Sequence, residues 1–298
     1  MDFSDLDTVT WLYQLTKTAH RDMYPALEPS NPDIAANGKT VLITGVSGGV
    51  GKAIAHAWAT AEAGAIVISG RRMEVLNSIA GEIRESHRGI TVLAHPADLR
   101  SEESVKELWE KAIITIGTVD VLINNAGSLN DAPIGDIEPG QWWNDFEVNV
   151  KGTYLMCLYF LKQSGGKGTI ITISSGAAGG LVPNMSSYIP SKLAQMKFME
   201  FIHLENPGVR VFTLLPGLLK TQMLPKMYFP FARDDPMLTG GMSLLLCTPR
   251  ADWLRGGVMS VNWDFEEMEE HKEEILREGR HKLSFLNAQL GKGGHPWT

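Results

Sequence analysis

The feature that most constrains the fold of this chain is a regular alternation of short apolar runs with longer amphipathic stretches. From Lys39 onward, seven runs rich in valine, isoleucine and threonine have the length of buried strands. These runs are 41–44, 66–69, 91–94, 121–124, 169–173, 209–214 and 257–261. Alternating strands and helices predict an α/β fold: a doubly wound, seven-stranded parallel sheet with helices on both faces, in a single domain of Rossmann type.

The stretches between the runs predict crossover helices, and the two ends of the chain differ from the middle. Helices are expected over 53–63, 75–85, 103–114 and 141–163. Residues 1–38 form an N-terminal arm with a possible helix over 8–20, followed by three prolines in 24–32 that predict no regular structure. Residues 265–298 predict a charged C-terminal part, with a solvated helix over 266–277 and a loose tail beyond 288.

Composition excludes several classes of function. The net charge of −7, without a lysine or arginine run, argues against a nucleic-acid partner. The first residues are acidic where a signal peptide is basic, and no apolar run has membrane-spanning length, so we expect a cytoplasmic protein without membrane insertion. Cys157 and Cys247 lie in apolar surroundings and predict buried free thiols. No metal site is expected, because the histidines lack ligand spacing.

A glycine-rich turn follows the first predicted strand. It runs Gly45-Val-Ser47-Gly-Gly49-Val50-Gly51 and leads directly into a helix. Strand, turn and helix N-terminus together offer backbone N–H groups and a positive dipole end, where the pyrophosphate of a dinucleotide can lie. The glycines leave room for its approach. The sequence therefore predicts a dinucleotide site, with 39–264 as the dinucleotide-binding and catalytic domain.

The end of the second predicted strand indicates which dinucleotide. Arg71 and Arg72 stand there, where an acidic residue would bind the 2′-hydroxyl of NAD. A guanidinium instead suits a 2′-phosphate, so NADP(H) is the predicted cofactor. The alternative is that both arginines are ordinary surface charges. Position 48 is a glycine, where a second basic residue would have strengthened phosphate binding.

The pattern Tyr188-x-x-x-Lys192 predicts an acid/base pair. A tyrosine phenol ordinarily loses its proton near pH ~10, so it needs a neighbouring positive charge to act at neutral pH. Tyr188 and Lys192 share one face if the segment is helical, and Pro190 then requires the helix to begin near Ser186 or Ser187. By itself the pentapeptide could arise by chance on a solvated helix.

Several ordered motifs between about Lys39 and Asp264 resemble those of the short-chain dehydrogenase/reductase family. They are the turn Thr44 to Gly51, Asp98-Leu99, Asn124-Asn125-Ala126-Gly127, Pro216-Gly217 with Thr221, and a tetrad of Asn149, Ser175, Tyr188 and Lys192. More narrowly, the proline-rich arm and the ending Ser260-Val-Asn-Trp-Asp264 resemble fungal members with terminal extensions, many of them apparently from specialised metabolism.

The resemblance implies a role for each motif. Tyr188 would donate a proton to a carbonyl oxygen as nicotinamide delivers hydride; Lys192 would lower the phenol pKa and hold the nicotinamide ribose. Ser175, preferred to Ser174 by its spacing, would bind the substrate oxygen, and Asn149 would bind a water that links Lys192 to solvent. The remaining motif residues would contact the cofactor, although Asn124 and Asn125 are more readily structural ties.

Two segments beyond the strand ends are candidate substrate walls: 179–185 and the methionine- and aromatic-rich 222–231. The second could close over a bulky, apolar small molecule, or could be ordinary packing. The resemblance also implies a homodimer or homotetramer, formed through the helix carrying 154–161 and the helix carrying Tyr188.

Two other classes of function compete with a carbonyl reductase or alcohol dehydrogenase. The same scaffold can host a redox-silent cyclase, dehydratase or isomerase, since tyrosine and lysine also serve general acid/base chemistry. A nucleotide-sensing or scaffold protein is the non-enzymatic alternative. The intact tetrad disfavours both.

Overall fold

Seven parallel strands form one sheet in the computed structural model, which describes residues 5–284. The strands are β1 Thr40–Thr44, β2 Ala65–Gly70, β3 Thr91–Pro96, β4 Val121–Asn124, β5 Thr169–Ile173, β6 Arg210–Leu215 and β7 Val258–Ser260. Their order is β3-β2-β1-β4-β5-β6-β7. The prediction of a seven-stranded parallel sheet is confirmed, with each strand end within two residues of its expected position.

Helices cover both faces of this sheet. They are α1 Thr8–Trp11, α2 Gly49–Thr60, α3 Met73–Ser86, α4 Glu102–Thr115, α5 Pro139–Phe146, α6 Thr153–Ser164, α7 Tyr188–Glu205, α8 Met237–Leu245, α9 Phe265–Glu270 and α10 Lys272–Glu278. The helix expected over 141–163 is not one α-helix, because a π-helical turn, Glu147–Gly152, separates α5 from α6. Helix α2 begins four residues earlier than expected, so the glycine turn supplies its first turn.

Alternate side chains of the strands build two separate hydrophobic clusters. In β1, Val41 and Ile43 pack with α2, α3 and α8, whereas Leu42 packs with α4, α6 and α7. Every residue of β1 is buried, as expected for a parallel strand covered on both sides. The strand order reverses between β1 and β4, and in such sheets the crevice for a ligand opens there, beyond the carboxyl ends of the strands.

The N-terminal arm is packed into the protein. Leu27 and Ile34 are buried in the same cluster as α2 and α8. The expectation that the prolines forbid regular structure is wrong, because Pro25 and Pro32 each begin a short 3-10 helix, where proline is tolerated. The helix expected over 8–20 ends at Trp11. Beyond it, the Gln14 side chain bonds to backbone carbonyls and competes with the helix.

The C-terminal part also differs from a solvated helix. Two short helices, α9 and α10, meet at His271; their apolar residues Phe265, Met268 and Ile275 are buried in the core, whereas Leu276 is exposed. The predicted tail beyond 288 lies outside the described residues. Cys157 is buried and Cys247 is half-buried; both are free thiols. Within 5–284, no helix has the length and apolarity to cross a bilayer.

Candidate active site

A cavity of about 930 Å³ opens beyond the carboxyl ends of β1, β2, β4, β5 and β6. All predicted cofactor residues line it, as do Ser175, Tyr188 and Lys192. The cofactor set is Gly45, Ser47, Gly49, Val50, Gly51, Arg71, Arg72, Asp98, Leu99, Asn125, Ala126, Gly127, Pro216, Gly217 and Thr221. Asn149 does not line the cavity; it is fully buried behind it.

The glycine turn leaves a groove that side chains would fill. A Cβ at Gly45, which has a φ of +71°, would lie 2.6 Å from Cα of Ala126. A Cβ at Gly49 would lie 3.2 Å from Cγ2 of Thr221, so these two residues face each other across the groove. The first turn of the twelve-residue helix α2 presents its N–H groups here. The groove therefore fits the phosphates of a dinucleotide.

The end of β4 is tied to the end of β1. The amide of Asn125 donates to the carbonyls of Thr44 and Gly45, and the Thr44 hydroxyl accepts from the backbone N–H groups of Asn125 and Ala126. Asn124 donates to Thr172 in the neighbouring strand. These bonds agree with the interpretation of both asparagines as structural ties that shape the turn.

Charged residues surround the groove where β2 and β3 end. Arg71 and Arg72 are exposed and line the cavity. Asp98 is held by Arg100, whose Nη2 lies 2.7 Å from its Oδ2. The hydrogen bond from Arg100 is the main reason that the pKa of Asp98 is lowered, and the charge of Arg71 adds to it. The guanidinium of Arg71 lies near the cavity. Among the described contacts it forms no ion pair.

Tyr188 begins helix α7, as the proline at position 190 requires. Its phenol lies near the Ser175 side chain on the wall of the cavity. Ser174, the rival serine, donates instead to the backbone carbonyl of Lys192, so its hydroxyl is turned away from Tyr188. Ser187 precedes the helix as expected, but its hydroxyl donates to Asp145 over 2.6 Å and does not cap the helix.

Burial governs the protonation of Tyr188 and Lys192. It raises the pKa of the Tyr188 phenol; the nearby Ser175 hydroxyl opposes this rise and the charge of Asp145 reinforces it. The expected lowering of the phenol pKa by Lys192 is not found, because Lys192 is not among the groups that shift it. Burial also lowers the pKa of Lys192 to about 8. Tyr188 is therefore an acid that keeps its proton at neutral pH, beside a lysine whose charge is lost in the weakly alkaline range.

The Lys192 ammonium lies among buried oxygens. Its Nζ donates to the carbonyl of Ile173 over 2.9 Å and to Oε1 of Gln195 over 3.1 Å. Gln195 in turn donates to the backbone carbonyl of Asn149 over 2.9 Å. The Gln195 side chain on α7 therefore links Lys192 to Asn149.

Asn149 lies in the π-helical turn between α5 and α6. Its side-chain amide donates to the Ser128 carbonyl and the Ser191 hydroxyl, and its Oδ1 accepts from the Ser128 N–H. Such turns are rare and occur mostly at functional sites, because they redirect backbone groups. Here the turn directs the Asn149 carbonyl toward α7. The Asn149 side chain itself holds the loop after β4.

The other end of the cavity is apolar and draws on the N-terminal arm. Three segments contribute: Leu12 and Tyr13 from the arm, Val182 and Met185 from 179–185, and Met223, Leu224 and Tyr228 from 222–231. A Cβ at Gly176, next to Ser175, would lie 3.1 Å from the Tyr13 ring. Both predicted walls thus line the cavity, and the arm adds a third.

Sequence reasoning missed three residues of the site. Gln195 lies on the same helix face as Tyr188, two turns onward, so helical spacing offered a signal for it. The sequence offered no signal for Asp145, which has no exposed area, or for the arm residue Tyr13. Both reach the site only through tertiary packing. Among residues 5–284, no group of three or more histidine, cysteine or acidic side chains could hold a metal ion.

Comparison with known proteins identifies relatives of this chain. A family model described as short chain dehydrogenase matches residues 39–228. The chain is similar to "Short chain dehydrogenase andI" of Emericella variicolor, with 32% identity over 281 residues that cover 90% of this chain and 95% of the relative. It is also 30% identical to a 7alpha-hydroxysteroid dehydrogenase of Escherichia coli, over 78% of this chain and 96% of the relative.

Solved structures share the fold. A dehydrogenase/reductase from Sinorhizobium meliloti 1021 superposes with a TM-score of 0.71 at 25% identity. The match covers 77% of this chain and 95% of that one. Roughly a quarter of this chain lies outside the match.

Proposed function

The chain belongs to the short chain dehydrogenase family, and on that basis we propose that it is an NADP(H)-dependent oxidoreductase acting on the carbonyl or alcohol of a bulky, apolar small molecule. The observation that carries the proposal is that Ser175 and Tyr188 lie together on the wall of a cavity whose other end is the glycine groove. An acid, its hydroxyl partner and a dinucleotide groove share one space.

The proposed catalytic residues each have a distinct task. Ser175 binds the substrate oxygen and holds it beside the Tyr188 phenol, which gives up its proton as negative charge develops on that oxygen. The nicotinamide, when bound, supplies or accepts the hydride. The Lys192 ammonium favours the phenolate that results, and a third N–H remains for a ligand in the cavity. Asn149 holds the loop after β4 and so keeps Lys192 and the groove in fixed relative positions.

NADP(H) is the proposed cofactor. Arg71 and Arg72 are exposed on the cavity where the adenosine ribose would lie, and no acidic residue occupies the end of β2. Asp98, which also lines the cavity, is engaged by Arg100. A 2′-phosphate is the anion that would use the two guanidinium groups. The other cofactor residues named above are proposed to bind it through the groove and the facing Thr221.

The substrate end favours an apolar molecule. Most of its side chains are aliphatic, aromatic or methionine, and Ser175 and Tyr188 are the polar groups proposed to orient the ligand. The relative from Escherichia coli is named for a hydroxysteroid, a substrate of that kind. Specialised metabolism is proposed from the resemblance of the proline-rich arm and the ending 260–264 to fungal members, and the match to the fungal relative extends beyond the span of the family model.

We also propose that the protein is cytoplasmic and assembles as a homodimer or homotetramer. Helices α6 and α7 carry exposed apolar side chains at Tyr154, Leu193, Phe201 and Leu204. A row of this kind on two adjacent helices is the surface through which a second copy would pack.

The test is to incubate purified protein with NADPH and a panel of carbonyl compounds, from small aldehydes to steroid-sized ketones, while following loss of the reduced cofactor. We expect NADPH oxidation that grows with the apolar size of the ketone and is weaker with NADH. A substrate converted without loss of NADPH would instead indicate the redox-silent class.

A further inference from the structure

Gln195 links Lys192, which lines the cavity, to the π-helical turn that contains Asn149. It lies on α7, one turn beyond Lys192, and has no exposed surface. Its amide oxygen accepts from Nζ of Lys192 over 3.1 Å. Its amide nitrogen donates to the Asn149 carbonyl over 2.9 Å and to the Thr153 hydroxyl over 2.8 Å. Every polar atom of this buried side chain therefore has a partner.

The chemistry of those partners fixes which way the amide points. The Asn149 carbonyl can only accept a hydrogen bond. The Thr153 hydroxyl already donates its hydrogen to that same carbonyl over 2.8 Å, so toward Gln195 it also acts as an acceptor. The NH2 group must face the π-helical turn, and the oxygen must face Lys192. The reversed amide would set an N–H group against the ammonium and turn its oxygen toward two other acceptors.

This orientation acts on the charge of Lys192. The ammonium has two oxygen partners, Gln195 Oε1 and the carbonyl of Ile173, and hydrogen bonds to a charged form favour that form. The ionisable group that acts on it from a neighbouring element is Asp145 of α5, and the phenol of Tyr188 lies one turn away on its own helix. Asp145 favours the ammonium, whereas burial opposes it.

We propose that Gln195 is a positioning residue that aims the Lys192 ammonium and sets the pH at which it loses its charge. The effect on turnover rests on the proposed function, in which Lys192 supports Tyr188. The effect on Lys192 itself does not. Gln195 transmits the geometry of the π-helical turn to the acid/base pair, because a shift of the Asn149 carbonyl must move the amide that holds Nζ.

Two substitutions at this position separate the proposal from a packing role. Gln195→Glu places an acceptor with negative charge beside Nζ and should raise the pKa of Lys192 by about 1 unit or more. Gln195→Met keeps the length of the side chain but removes the acceptor, so the pKa should fall. Titration of the protein with lysine labelled at Cε with carbon-13 measures this by NMR. Lys192→Arg identifies the resonance.

The alkaline limb of kcat for carbonyl reduction should move in the same directions as the pKa. Gln163 is the matched control, since it bonds through both amide atoms to the backbone of Val119, where β4 begins at the opposite end of the sheet. The same two substitutions there should leave the Lys192 titration and the alkaline limb unchanged. If Gln195→Glu does not fold, Thr153→Val tests the link by releasing the amide, and should lower the pKa of Lys192.

Shifts in opposite directions for Glu and Met support the proposal. Unchanged titration, or a shift of the same sign in both variants, would overturn it, since a packing defect has no reason to follow charge. Opposite NMR shifts in a protein that reduces no carbonyl would support the role of Gln195 while refuting the proposed function.

Discussion

Arg21 in the N-terminal arm donates from Nε to Oδ1 of Asp234 over 2.7 Å, and the Asp234 side chain has no exposed surface. The same guanidinium donates to the Phe231 carbonyl, at the end of the segment 222–231. The other oxygen of Asp234 accepts from the backbone N–H of Leu218. One arginine thus joins the arm to the segment that forms the substrate wall.

Arg21→Ala should destabilise the protein by about 3 kcal/mol, because it leaves a buried carboxylate without its partner. The substrate wall should loosen with it, so KM for the carbonyl compound should rise. Urea unfolding and steady-state kinetics measure the two effects. Arg277→Ala, which removes an exposed ion pair to Glu278, should change stability by less than about 1 kcal/mol. Equal effects of the two variants would refute the link between arm and wall.

Tyr13→Ala should raise KM for large apolar ketones by roughly tenfold, with little change for small aldehydes, because the ring supplies apolar area only to a ligand that reaches it. The affinity for NADPH should stay the same. Trp11, on the same arm but exposed and absent from the cavity wall, provides the control. If Trp11→Ala shifts KM as much as Tyr13→Ala, the arm acts through stability and not through contact.

Arg71→Ala should weaken NADPH binding by about 10- to 100-fold, since a charge-assisted hydrogen bond contributes about 1.5–3 kcal/mol. NADH binding should change little, because it lacks the 2′-phosphate. Fluorescence titration of both cofactors gives the ratio. Arg88→Ala removes an exposed charge just beyond α3 and controls for overall electrostatics. Equal losses for NADPH and NADH in Arg71→Ala would contradict the proposed cofactor.

The fold was largely predictable because its strands are buried on both sides. Continuous apolar runs mark such strands without ambiguity, and all seven were located to within two residues. Tyr188, Lys192 and the glycine turn were also identifiable, because their spacing relates directly to helix and turn geometry.

Features that depend on tertiary packing were not predictable. The π-helical turn at Asn149 has no local signature, since the stretch around it reads as ordinary helix. The upward shift of the Tyr188 pKa follows from burial that the neighbours of α7 create. Tyr13 reaches the cavity only because distant residues anchor the arm, as Trp263 does by donating to its carbonyl over 2.6 Å.

The pH dependence of carbonyl reduction should follow the charge of Lys192. Burial lowers its pKa to about 8, so the ammonium is present below that pH and lost above it. Because the pKa of Tyr188 is raised, the phenol keeps its proton through this range. The value of kcat should therefore be level near pH 6–7 and fall as the pH rises through about 8. Lys192→Met should be slow at every pH and show no such fall.

The central claim is that Tyr188 is the proton donor, and comparison of the native protein with Tyr188→Phe tests it most directly. The substitution removes one hydroxyl from a buried ring, so NADPH should bind with unchanged affinity. The value of kcat for a ketone that the native protein reduces should fall by at least about 100-fold, since general acid catalysis contributes 10²–10⁴. A variant that binds NADPH normally and retains kcat within about twofold would contradict the account.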